Sequence, residues 1–442
     1  MSSQTWEMLE KVRQQFDSTP YPTVALDESP KENPNFLYFH NLVTPYYLRN
    51  QKFIDTKGKV ILDAGCGSGW KSLVLAEANP GAKIVGVDIS EESVKLARQR
   101  LDFHGFDNVE FHVLLLEDLP KLGMEFDYIN CDDVLYLIPD ATVGLQAMKS
   151  ALKPDGIIRV NLHSFYQRAN YFRAQSLSKF MGLMDKNPED MEIGILRDTM
   201  KALKDDVILK AQTWTAKCEE KDGLLLANHL LVGDKGSTIP EFFALLKASG
   251  LEFISMVDWL NWDIMDLFKE ADNLPAFFAM TLPDLLEEEK LHLFELLHPV
   301  HRLLDLWCGH TQEKQLLPIP EWNESHWKRA IAYLHPQLKT SMFREDLVDC
   351  VTQMKAFPIS KHLQLISQVI TIDSSMALCL FPLLNEPQPL KCLIEYWKRV
   401  RPLDPVTLQP TDDKQAFKMV QQMMLRLEGL GYVMLEHKAD KG

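Results

Sequence analysis

The chain reads as an α/β protein built on a doubly wound, mostly parallel sheet, with a helical insertion and a mainly helical C-terminal domain. Three observations predict this. Between residues 59 and 165, short apolar runs alternate with segments of helical spacing, the pattern of βαβ units. The first of those runs ends in a glycine-rich turn, DAGCGSG. The 442 residues are also too many for one ordinary core, so a second unit is expected.

The elements follow in order. Residues 4–16 have amphipathic spacing and predict a short helix. Pro20, Pro22, Pro30, Pro34 and Pro45 then interrupt any sustained pattern. Residues 1–57 are therefore expected to be an extension packing over the neighbouring domain. Their aromatics (Tyr21, Phe36, Tyr38, Phe39, His40, Tyr46, Tyr47) either pack there or close over a ligand. KVILDAG predicts the first strand and residues 70–78 a helix. AKIVGVDIS is a second strand, followed by the helix EESVKLARQRLDFHG with Ser90 as its N-cap. NVEFHVLLL, FDYINCDD and GIIRVNLHS predict the third, fourth and fifth strands, with helical spacing at 141–152 before the fifth.

Residues 165–222 break the alternation and predict a helical insertion. The helix TIPEFFALLKASG, ended by Gly250, and the strand LEFISMVDW resume the sheet pattern, which places the sheet domain at 58–260. Residues 261–442 are expected to be helical, with Pro-containing breaks at LLPIPEW, FPISK and RPLDPVTLQP. A chain ending near residue 260 would then retain ligand binding.

Composition narrows the classes of partner. With 47 basic and 62 acidic side chains the formal charge is -15, which repels phosphate backbones, so no nucleic acid is expected. The seven cysteines are scattered and never spaced as Cys-x-x-Cys, which predicts reduced thiols and a cytoplasmic protein. No apolar run approaches the ~20 residues of a membrane helix. Cys308 and His310, near His301, Trp307 and Gly309, supply too few ligands for a metal; the segment reads as a helix end and no metal is expected.

The chemistry concentrates at the carboxyl ends of the predicted strands. The first ends at Asp63, and Gly65, Cys66, Gly67 and Gly69 form a turn that lets backbone approach a ligand, with a helix N-terminus behind. The second ends at Asp88, placed to accept hydrogen bonds from ribose hydroxyls. Glu117 and Asp118 follow the third and suit an exocyclic amine. Asp132 and Asp133 follow the fourth. A dinucleotide fingerprint would need a glycine where Trp70 stands, and has no use for so many acids.

These segments resemble the class I S-adenosylmethionine methyltransferase family, whose fold is Rossmann-like. The family's glycine motif corresponds to DAGCGSG, its ribose acid to Asp88 in VGVDIS, and its adenine segment to LEDLP at 116–120. FDYINCDDVLYLIPD and LKPDGI match its fourth and fifth strand motifs. The resemblance implies S-adenosylmethionine as cofactor. The glycine turn and Asp63 would hold its methionine portion and Asp88 its ribose. Ile89 would pack on adenine, Asp118 would bond the adenine amine, and Asp132 would lie near the methionine backbone groups. Asp133 and Tyr136 stand where the family's acceptor pocket opens; a solvated acid and a packed ring are the alternative.

His163, after the fifth strand, is a candidate general base or a satisfied surface histidine. NCDD replaces the Asn/Asp-Pro-Pro-Tyr/Phe of many amide and exocyclic-amine methylators, which argues against a nucleic-acid base or a glutamine amide as acceptor. Residues 389–436 and the FDSTPYP segment at 16–22 resemble bacterial methyltransferases with a trailing helical or winged-helix domain, some of which act on protein lysines. The long C-terminal region implies an acceptor on a protein side chain or another bulky molecule. A small metabolite covered by the 165–222 insertion is the alternative, and a cofactor-binding interaction module is a third. In the first case the N-terminal aromatics, the insertion and the C-terminal domain would together wall the acceptor pocket.

Overall fold

The computed structural model describes residues 3–18, 20–312, 316–404 and 407–437, with side chains from Leu9 onward. Two units divide the chain. The first comprises Met1–Glu28, Gly58–Ala76 and Gly81–Thr311; the second comprises Ser29–Lys57, Glu77–Pro80 and the chain from Gln312.

The first unit is built on a seven-stranded sheet. Its strands are β1 (Val60–Ala64), β2 (Lys83–Asp88), β3 (Val109–Val113), β4 (Phe126–Cys131), β5 (Leu152–His163), β6 (Glu252–Met256) and β7 (Leu303–Gly309). Their order is β3-β2-β1-β4-β5-β7-β6. The first five pair in parallel, and β7 runs antiparallel to both neighbours. Val, Ile and Leu fill the strands because both faces are covered: Leu62, Val85, Ile129, Ile158 and Leu306 are all fully buried. The order reverses between β1 and β4, so the carboxyl ends of these two strands open the crevice in which such sheets hold ligands.

Flanking helices begin as their sequences direct. Ser90 caps Glu91–Phe103 by accepting from Ser93 N, and Thr238 and Glu241 form a capping box on Ile239–Ser249. The insertion holds five helices from Ala169 to Asn228, a little past the expected end at 222. It has its own small core of Leu183, Ile193, Leu196, Met200, Leu225 and Leu230.

Two expected boundaries move. The sheet domain does not end at 260, because β7 lies between β5 and β6 and pairs Asn161 with Asp305 and Met256 with Leu306. The run LHLFELLHPVHRLLDLW is therefore not one helical stretch: Glu287–Leu297 is a helix, Pro299 stops it, and LLDLWCG is strand. Trp307, Cys308 and Gly309 belong to this strand and form no helix end. Cutting the chain at residue 260 removes β7 and leaves β5 and β6 with unpaired edges. Such a chain is expected to aggregate, and gel filtration with circular dichroism checks this; a monodisperse, folded product would contradict it.

The N-terminal extension also divides. Only residues up to Glu28 belong to the sheet unit; residues 29–57 belong to the second. There Tyr38 packs against His335 (ring centroids 4.3 Å) and donates to Gly431 O, Tyr47 donates to Glu428 (2.9 Å), and Phe53 stacks on Tyr333. Most of the N-terminal aromatics are thus core of the second unit. That unit carries the helices Ser341–Thr352, Leu390–Val400 and Asp413–Gly429 and an antiparallel sheet of Gln388–Pro389, Ala330–Leu334 and Val433–His437.

Candidate functional site

The glycine turn joins β1 to the helix Trp70–Ala78. Asp63, at the end of β1, is buried beneath it and accepts from Ser72 Oγ (2.6 Å) and Asn130 Nδ2 (3.0 Å). Burial pushes its pKa up to about 6, and the two donors work against that rise. Asp63 thereby ties β1, β4 and the helix together under the turn, and its direct contact with a ligand is not what the geometry shows. Gly65 N and Cys66 N donate to Val87 O, and the Cys66 thiol is buried, with its pKa pushed well up. Gly67 N donates to Asp88 Oδ2 (2.9 Å). The amides of 65–67 are therefore spent on bracing the turn against β2.

What lies over the turn is the N-terminal segment. Ser68 N donates to Tyr21 O (2.9 Å) and Ser68 Oγ to Pro22 O (2.8 Å). A Cβ at Gly67 would sit 2.1 Å from Tyr21 O, so no side chain fits at this left-handed residue (φ 50°). Arg100, fully buried, donates to the carbonyls of Ser68, Ala25 and Val24. Asp17 accepts from Ser90 Oγ (2.7 Å). Residues 17–25 are thus fastened across the turn by bonds that sequence motifs do not reveal.

Asp88 accepts from Gly67 N and Ser90 N, and burial raises its pKa. Beyond it, Ile89 and Asp118 line one cleft with Leu9, Glu10, Arg13, Val113, Leu114 and Leu115. Asp118 lies in the 3-10 turn Leu116–Leu122 and pairs with Lys121 (2.8 Å). Glu117 is on the same turn but is not among the residues lining the cleft. Asp132 is buried, accepts from Asn161 Nδ2 (2.6 Å) and pairs with Lys71 Nζ (2.5 Å), at the start of the helix behind the turn. The residues expected around the ligand are therefore split: Ile89 and Asp118 border the cleft, Asp88 lies just before them with its carboxylate bonded to Gly67 N and Ser90 N, and Asp63 and Asp132 are held within the protein.

A second pocket lies beside Asp133 and Tyr136. Its walls come from Gln15, Phe16, Tyr21 and Thr23, from Asp133, Tyr136 and Leu137, from Gly223, Leu226, Ala227 and Leu231, and from Arg302. The N-terminal segment walls one side, and Gly223, Leu226, Ala227 and Leu231, which wall another, lie just past the expected end of the insertion at 222. Arg302 is the wall residue that comes from the region expected at 261–442.

Asp133 adopts a left-handed backbone (φ 58°), held by its N–H donating to Asn161 Oδ1 (2.9 Å). This bend turns its carboxylate toward Arg302, whose Nη2 lies 3.2 Å from both oxygens. Tyr136 stacks on His163 at 4.0 Å. His163 is 1% exposed, so it is no surface histidine. Its Nδ1 lies 2.6 Å from Asp234 Oδ1, and its Nε2 lies 3.0 Å from Arg302 Nη1. The carboxylate can only accept and the guanidinium can only donate, which fixes the proton on Nδ1 and leaves Nε2 a lone pair. Arg168 and Gln175 donate to the other oxygen of Asp234. Burial, opposed by Asp234, lowers the pKa of His163 and keeps it neutral near pH 7.

Asp234 and Arg302 escaped sequence reasoning. The first is one acid in a GDKG turn; the second sits inside the run misread as helix. The signal for Arg302 was Pro299, which should have ended that helix and opened a strand.

Comparison with known proteins agrees with this layout. Residues 55–222 match a family described as "Methyltransferase domain". An uncharacterised protein of Synechococcus sp. is 25% identical over 314 residues, 70% of this chain and 73% of its own length. Ubiquinone biosynthesis O-methyltransferase of Actinobacillus pleuropneumoniae is 33% identical over 106 residues, 23% of this chain; the match spans only 44% of that enzyme. Among solved structures, PKMT2 from Rickettsia typhi in complex with AdoHcy superposes with a TM-score of 0.57 at 16% identity, covering 95% of this chain and 78% of that one. Residues 55–222 thus carry a methyltransferase domain, in a chain whose fold is that of S-adenosylmethionine-dependent methyltransferases, and S-adenosylmethionine is its cofactor.

Proposed function

We propose that the protein methylates a nucleophile on a protein side chain or another bulky acceptor. The pocket at Asp133 and Tyr136 carries this reading. Its free volume is about 80 Å³, well below the ~300–1,000 Å³ of sites that enclose a whole small molecule. It suits one projecting group whose parent stays outside.

Asp88 would hold the ribose of S-adenosylmethionine, and Ile89 and Asp118 its adenine. The glycine turn, with Asp63 behind it, would hold the methionine portion, with Asp132 near. Carboxylates at Asp88 and Asp118, with no phosphate-binding glycine at Trp70, fit that cationic group better than a pyrophosphate. S-adenosylmethionine supplies a methyl group already activated by its sulfonium charge, so the chain's own work is alignment and exclusion of water. Tyr21, Phe16, Leu226 and Leu231 keep the pocket apolar, and Asp133, Tyr136 and Arg302 give it one polar side.

S-adenosylmethionine and S-adenosylhomocysteine are expected to raise the melting temperature, and NAD to leave it unchanged; stabilisation by NAD alone would contradict the assignment. The acceptor is tested by incubating the protein and methyl-labelled cofactor with lysate of the source organism, then separating labelled macromolecules from labelled small molecules. Label on a protein supports the reading. Label only on small molecules favours the second reading, a metabolite, for which the aromatic lining speaks. We also place the protein in the cytoplasm, whose reducing conditions suit its seven scattered cysteines, none spaced as Cys-x-x-Cys. No helix among the described residues is long and apolar enough to cross a membrane.

A further inference from the structure

Resting on the reading above, we propose that the methylated atom is an oxygen: an acceptor hydroxyl enters between Arg302 and His163 and gives its proton to Nε2 of His163. Asp234 orients the ring and stabilises its charged form.

The geometry points to a group that both donates and accepts. Nε2 of His163 carries a lone pair aimed at Arg302 Nη1, 3.0 Å away. A hydroxyl inserted there donates to Nε2 and accepts from the guanidinium. The two must part to roughly 5 Å for this, given hydrogen bonds of about 2.8 Å on each side. His163 cannot yield, since it is fully buried, stacked under Tyr136 and bonded to Asp234. Arg302 can, because 46% of its side chain is exposed.

An ammonium would be the wrong occupant. It has no lone pair for Arg302, and it would join two guanidiniums, Arg302 and Arg168, whose charges are already matched by Asp133 and Asp234; a neutral amine has a single lone pair, which the methyl group takes, so none is left to accept from Arg302, whereas a hydroxyl has two. A developing oxyanion, in contrast, faces Arg302. The step balances: an oxygen lone pair forms the O–C bond to the methyl group, the C–S bond breaks with its electron pair left on sulfur, and the hydroxyl proton passes to Nε2. The charged groups facing His163 are Asp234, Arg168, Arg302 and Asp133, with Tyr136 on its ring face.

The test has two arms on the full-length protein. In the first, the protein carries ¹⁵N-histidine and saturating S-adenosylhomocysteine. p-Cresol is expected to shift the Nε2 signal of His163, identified by its absence in His163→Gln, and benzylamine to leave it in place. Any other pattern overturns the proposal. In the second, labelled product from lysate is expected to carry its methyl on oxygen. His163→Gln should lower labelling at least ~100-fold while leaving S-adenosylhomocysteine affinity unchanged. Arg302→Met, at a half-exposed position, stands in should His163→Gln fail to fold. It removes a charge that lowers the His163 pKa, so the ascending limb of the pH–rate profile should move to higher pH. Methyl on nitrogen, an unimpaired His163→Gln or an unmoved limb overturns the proposal. If the wild-type protein labels nothing, the proposed function fails, and the first arm still decides between hydroxyl and amine.

Discussion

Gly69→Ala is expected to lower stability by about 2–5 kcal/mol, a large share of the ~5–15 kcal/mol that holds a domain folded. Two effects add. Gly69 has φ 78°, a left-handed conformation that costs a residue with a Cβ about 1–2 kcal/mol. The added Cβ would also lie 2.6 Å from the Cα of Ala97. A backbone atom in the middle of the helix Glu91–Phe103 cannot rotate away, so the two helices behind the turn must separate, and overpacking of that kind costs about 1–3 kcal/mol. Urea titration checks the loss. An unchanged midpoint would mean that these helices shift freely, contrary to the packing described.

The second large effect is on the cofactor. Asp88→Ala removes the acceptor for Gly67 N and Ser90 N as well as the proposed ribose contact. Charge-assisted hydrogen bonds contribute about 1.5–3 kcal/mol each, so losing one weakens S-adenosylhomocysteine binding at least ~10-fold. Calorimetry on Asp88→Ala measures this directly. Equal affinity in the variant and the wild-type protein would put the cofactor elsewhere.

The same two positions show what could be read from the sequence. Gly69 closes the turn after one short apolar strand and Asp88 ends the next, where local pattern and chemistry coincide, and all five parallel strands announced themselves this way. β7 did not, because LLDLWCG follows an apolar helix after only a few residues and neither length nor composition separates them. The pocket was half legible. Asp133, Tyr136 and His163 follow strands, and their position gave them away. Asp234, Leu226 and Arg302 reach the same place from 60 to 170 residues away, through the pairing of β7 with β5 and the folding of the insertion. Nothing local encodes such a meeting. Asp63 and Asp132 mark the opposite case: their positions suggested ligands, whereas their neighbours Ser72, Asn130, Asn161 and Lys71 claim them for the frame.

The place of β7 between β5 and β6 also sets a schedule for the growing chain. β5 is complete at His163, and the strand that covers its free edge begins about 140 residues later, at Leu303. At ~5–20 residues per second, a ribosome needs roughly 7–30 s to deliver it. Throughout that interval an apolar strand presents unpaired N–H and C=O groups to every neighbouring nascent chain. Slowing translation between codons 164 and 303 should therefore raise the insoluble fraction of newly made protein, whereas slowing it after codon 309 should not.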